Sequence, residues 1–136
     1  MRRVLVAIAL AATLVTSLAP LSSVEAAWNP FEWGQCTWWA ADMRPDLIGT
    51  VWGNAWHWIY EARWGGFHTG YYPVRGAVVV FQRGVDGASW YYGHVAYVTA
   101  VGNNGWFQVS EMNFPWWGRV TYRWAHTGWG VSFIYW

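Results

Sequence analysis

The sequence predicts an α+β domain in which helices precede a largely antiparallel sheet. Two observations carry this. Runs free of Gly and Pro and suited to helices come before Pro73, while short β-rich runs come after it. The links between the earlier β runs are turn-forming segments such as Gly102-Asn103-Asn104-Gly105, too short to carry a crossover helix. A chain of 136 residues holds one domain.

The elements follow in order. Arg2 and Arg3 form a positive start, Val4–Leu18 is an almost unbroken apolar run, and Val24-Glu25-Ala26 offers small residues for cleavage. Residues 1–26 therefore read as a signal peptide and 27–136 as the mature domain. The competing reading is a membrane anchor, but the charge-free stretch from Val4 to Ser23 is short for a span and diluted by Thr, Ser and Pro20. Cys36–Met43 reads as a helix opened by Gly34-Gln35 and closed before Pro45. Asn54–Trp64 reads as a second helix, with Asn54 as N-cap and Gly65-Gly66 as the stop. Strands are expected at Gly76–Gln82, His94–Val101, Trp106–Asn113, Arg119–Trp124 and Ser132–Trp136, with a turn at Arg83–Ala88.

Loss of residues 1–26 removes Arg2, Arg3 and Glu25, leaving six basic and six acidic residues and no formal net charge. There is no Lys anywhere. Nucleic acid and an anionic membrane surface would each call for a basic cluster, so neither is an expected partner, and no membrane anchor is expected to remain after cleavage. The chain has one Cys, so no internal disulfide can staple this small domain. The 15 Trp, 8 Tyr and 6 Phe supply aromatic packing instead, and those left at the surface offer flat platforms for sugar faces.

Cys36 sits at the predicted start of a helix, where free backbone N–H groups favour a thiolate. The alternative is a small buried hydrophobe, but an unpaired Cys in an exported chain points to an intermolecular bridge or to a thiol kept for chemistry. His94 opens a strand after Tyr91-Tyr92-Gly93, which lets its ring project from a sheet end as a proton acceptor near neutral pH, although a lone His is more often a plain surface or core residue. His57, His68 and His126 have aromatic or Gly neighbours and read as structural. Glu111 and Asn113, spaced i, i+2, would share one strand face with Val109 and Phe107. They need polar partners there, and a His ring nitrogen would supply one. Taken alone, a Glu-x-Asn pair at a strand end is more often a solvated edge or turn. One Cys and scattered His make no metal-ligand set, so neither metal nor cofactor is expected.

Together, Gly34-Gln35-Cys36-Thr37-Trp38-Trp39-Ala40, Gly53-Asn54-Ala55, Pro73-Val74-Arg75-Gly76-Ala77-Val78, Gly93-His94-Val95-Ala96-Tyr97-Val98 and Ser110-Glu111-Met112-Asn113 resemble the CHAP family, the cysteine, histidine-dependent amidohydrolases/peptidases. The resemblance runs from about Trp33 to the C-terminus, taking in Trp117-Gly118-Arg119-Val120 and Phe133-Ile134-Tyr135. It implies a papain-like fold for 27–136 and hydrolysis of amide bonds in bacterial peptidoglycan, between muramic acid and the stem peptide or within the peptide and its cross-bridge. It implies Cys36 as nucleophile, His94 as base, Glu111 as its orienting partner and Asn113 as an auxiliary. The oxyanion would be held by the Cys36 backbone N–H, with the Gln35 side chain as a second donor. The expected product is a secreted or wall-associated monomeric hydrolase. The rival is a Trp-rich, non-catalytic module that binds wall carbohydrate through exposed rings such as Trp116 and Trp117, with Cys36 incidental.

Overall fold

A computed structural model describes residues 28–50 and 52–136; the leader expected at 1–26 lies outside the described residues. Two short helices precede all six strands of a wholly antiparallel sheet. The helices are α1 (Cys36–Met43) and α2 (Trp58–Trp64). The strands are β1 (Thr69–Gly70), β2 (Val78–Phe81), β3 (His94–Val101), β4 (Trp106–Met112), β5 (Val120–His126) and β6 (Val131–Ile134). They lie in the order β1-β6-β2-β3-β4-β5, so β2 to β5 form a meander and β6 returns to the free side of β2.

Helix α1 begins after Gln35, which is extended, and stops at Arg44, which Pro45 holds out of the helical region at φ −130°, ψ 79°. The second helical run is shorter than expected. Residues 55–57 form a 3-10 turn and the α-helix starts only at Trp58; Asn54 makes no side-chain cap. The cause is tertiary: the Trp56 N–H is taken by the Tyr92 carbonyl at 3.0 Å, which ties this segment to the β3 entry. Strand β1 is an edge of two residues, Thr69 and Gly70, too short for an alternating pattern to show in the sequence.

Every side chain of β2 is buried, because this central strand is covered on both faces. Val78 and Val80 pack with Trp58, Ile59 and the Ala40-Ala41 face of α1. Val79 and Phe81 pack on the other face with Val98, Phe107, Val109 and Phe133. The Phe107 and Phe133 rings lie 5.1 Å apart although β2 and β3 separate their strands. In a flat sheet that separation would be about 14 Å, so the sheet curls strongly and encloses its second core.

Arg44 fastens the helical layer to the sheet. Its side chain is buried, pairs with Asp46 at 2.6 Å, and donates to the carbonyls of Gly76, Ile134 and Tyr135 at 3.1–3.3 Å. Trp39 adds a second tie, its indole N–H donating to Ser110 Oγ of β4 at 3.1 Å. Among the described residues no helix is long and apolar enough to cross a membrane.

Candidate active site

Cys36 is the first residue of α1, and no side chain caps that helix start. The first-turn N–H groups are therefore open toward the thiol. Gly34 makes the entry possible: it has φ +95°, and a Cβ there would lie 2.4 Å from the Trp117 ring. The Gly118 N–H bonds the Gly34 carbonyl at 3.0 Å, so the 115–118 loop is fastened over the start of α1.

The thiol is half-buried in a cleft of about 680 Å³ whose walls include Gln35, Asn54, Tyr92, His94, Asn113 and Phe114. Cys36 comes from the helical layer and His94 from the sheet. His94 pairs with Phe81 and shares its face, but as the first residue of β3 it stands at the sheet end, where its ring meets the thiol. Gly93 allows this, with φ +67° and no room for a Cβ, which would sit 2.8 Å from Trp56 Cβ and 2.9 Å from the Phe81 carbonyl.

Burial works against a charged sulfur, yet the positive charge and hydrogen bond of His94, aided by the backbone of Val95 and Thr37, hold the Cys36 thiol below its ordinary value of 9.0. For His94 burial disfavours the charged ring, but the Cys36 sulfur and then Glu111 outweigh it and raise the imidazole from 6.5 to about 9. The two shifts describe one event, transfer of a proton from sulfur to ring.

His94 Nε2 meets Glu111 Oε2 at 2.9 Å, which leaves Nδ1 as the ring nitrogen for Cys36. Glu111 is fully buried. Its other oxygen accepts from Arg123 Nε at 2.7 Å, and Arg123 also pairs with Asp86. The Arg123 guanidinium lies 4.3 Å from the Phe114 ring centre and 5.0 Å from that of Phe81. Residue types and spacing gave no reason to single out Arg123; its signal is the β4–β5 register, which pairs it with Val109 on the face that carries Glu111.

Asn113 departs from its expected position. Strand β4 ends at Met112, and Asn113 takes a left-handed φ of 58°, so the shared-face argument reaches Glu111 but not Asn113. Its Nδ2 donates to Gln35 Oε1 at 2.7 Å, which orients the Gln35 amide beside Cys36. His57, His68 and His126 do not line the cleft; His57 stacks on Trp56, and His126 bonds the carbonyls of Asn104 and Thr127. Among the described residues no group of three or more His, Cys, Asp or Glu converges as metal ligands would.

The CHAP domain model matches residues 26–113. The chain belongs to the CHAP domain family. The match ends at Asn113, so β5 and β6 complete the sheet beyond it. Staphylococcal secretory antigen SsaA of Staphylococcus epidermidis is 40% identical over 86 residues, 63% of this chain and 31% of that protein. Staphylococcal secretory antigen ssaA2 of Staphylococcus aureus is 41% identical over 86 residues, 63% of this chain and 30% of its own length. The chain thus spans about three tenths of these relatives. A crystal structure of N-acetylmuramoyl-L-alanine amidase from Staphylococcus aureus superposes with a TM-score of 0.65 at 34% identity, covering 74% of this chain and 30% of that one.

Proposed function

We propose that this CHAP domain is an exported cysteine hydrolase that cleaves an amide bond of bacterial peptidoglycan, with residues 1–26 as its cleaved leader and a monomer as the working form. The observation that carries the reading is the line from Cys36 and His94, which both line one open cleft, to Glu111 buried behind the ring. The arrangement is papain-like in that the nucleophile heads a helix while base and orienting carboxylate come from an antiparallel sheet. The similarity to an N-acetylmuramoyl-L-alanine amidase supports the wall amide as substrate, and the secretory antigens support export.

The Cys36 thiolate attacks the carbonyl carbon, and the negative oxygen of the tetrahedral intermediate accepts from the Cys36 backbone N–H and the Gln35 side-chain amide. Asn113 holds that amide in place. His94 gives its Nδ1 proton to the departing amine, leaving a thioester on Cys36. It then takes a proton from water, which attacks the thioester and frees the acid and the thiolate. Glu111 fixes the ring orientation and favours the imidazolium, and Arg123 balances the buried carboxylate.

Mass spectrometry of the fragments released from purified peptidoglycan tests the bond. A freed muramic-acid lactyl carboxylate paired with a new alanine amine identifies an amidase; a new pair of amino-acid termini identifies an endopeptidase. Glycan fragments with intact stem peptides, from cleaved glycosidic bonds, would overturn the proposal.

A further inference from the structure

A second cleft of about 590 Å³ lies beside the catalytic one, lined by Tyr60, Arg63, Tyr71, Gln82, Trp129 and Ser132 among others. A single ridge divides the two. The Trp56 N–H is held on the catalytic side by the Tyr92 carbonyl at 3.0 Å, and its carbonyl on the far side by Gln82 Nε2 at 3.2 Å. Asn54 and Ala55 line one cleft and Ile59 and Tyr60 the other, so one segment of chain forms the wall of both.

We propose that this second cleft is a subsite for the N-acetylated glycan strand of the wall polymer, reached by a substrate that crosses the Trp56 ridge from the catalytic cleft. The inference rests on the reading of the protein as a wall hydrolase. Three observations carry it. Trp129, Tyr71 and Tyr60 expose 88%, 63% and 52% of their surface around one concavity, the disposition of rings that stack on the apolar faces of sugars. Tyr71 is preset, since Arg63 reaches its hydroxyl at 3.3 Å and is itself braced by Thr69 Oγ1 at 3.3 Å. The floor is polar in a matching way. Gln82 spends one N–H of its amide on the Trp56 carbonyl and keeps Oε1 as an acceptor, beside the Ser132 hydroxyl. An acetamido group offers one N–H donor and one carbonyl acceptor, the complement of that pair.

The test titrates a soluble tetramer of β-1,4-linked N-acetylglucosamine into the Cys36→Ala chain, followed by tryptophan fluorescence. Expected are saturable binding, at least tenfold weaker binding in chains that also carry Trp129→Ala or Tyr71→Ala, and weaker binding of the glucose tetramer, which has no acetamido groups. In the otherwise unaltered chain, Trp129→Ala should raise KM on insoluble wall at least several-fold, while kcat on a short soluble muropeptide is retained. No binding of the tetramer, binding indifferent to both ring substitutions, or displacement by a free stem peptide would each overturn the subsite. Binding is read without turnover, so failure of the wild-type chain to hydrolyse wall would sink the hydrolase reading and leave this result standing.

Discussion

At the scale of single residues, the Cys36–His94 pair makes a prediction that separates the thiolate from the imidazolium. Alkylation by iodoacetamide needs only the thiolate, so its rate should fall as pH drops through the thiol's lowered value and stay high above pH 9. Hydrolysis also needs the protonated ring, so it should show the same acid limb plus a loss as pH rises through about 9. Glu111→Gln removes one of the influences that raise His94, and should move only that alkaline limb to lower pH. An alkaline limb unmoved by Glu111→Gln would argue against its orienting role. Stability follows a different rule. The raised ring value alone would lose stability as pH climbs from 6.5 to about 9, and the lowered thiol value alone would gain it approaching 9.0. Between 6.5 and about 9, and above the thiol's lowered value, the folded chain holds one proton on His94 and the unfolded chain one on Cys36, so in that window the two trends offset.

Cys36 was legible in the sequence because a lone Cys at a helix start needs no knowledge of tertiary contacts, whereas His94 stood out from the other histidines only through the Gly93-His94-Val95-Ala96 motif and its family resemblance. Arg123 was not legible, since its bond to Glu111 spans two strands and depends on their register. Asn113 was misplaced for a local reason, the left-handed backbone that ends β4 one residue early.

At the scale of elements, the junctions decide whether helix and sheet present their residues to each other. Gly93→Ala forces a Cβ against Trp56 and the Phe81 backbone at a left-handed φ. It should cost about 1–3 kcal/mol in urea unfolding and lower hydrolysis by more than the loss of folded protein explains, because His94 follows directly. A variant as stable and as active as the parent would contradict the account of this turn. The five longer strands and the Gly102–Gly105 turn were readable from β-rich runs and turn chemistry, with β3 starting and ending where its sequence suggests, whereas the return of β6 to the free side of β2 was not. The break between residues 57 and 58 was not, because its cause is a hydrogen bond to Tyr92, 36 positions away in sequence. Nor was β1, which exists only because β6 supplies its partners.

At the scale of the whole molecule, a domain without disulfides holds its helical layer on the sheet by packing and by Arg44. Arg44→Ala leaves the carbonyls of Gly76, Ile134 and Tyr135 without their donor and Asp46 without its cation. Thermal or urea unfolding should report a loss of about 3 kcal/mol, against less than about 0.5 kcal/mol for the exposed Arg119→Ala. Equal effects would remove Arg44 from its role as fastener. The proposed catalysis depends on this fastening, since Cys36 belongs to one layer and His94 to the other. The measurement that tests the central claim most directly is the rate at which the chain and its Cys36→Ala variant release dye from labelled peptidoglycan, at matched concentrations of folded protein. The account predicts a fall of at least about a thousandfold with the near-ultraviolet circular dichroism of the aromatic core unchanged. Release by the variant within tenfold of the parent would contradict it.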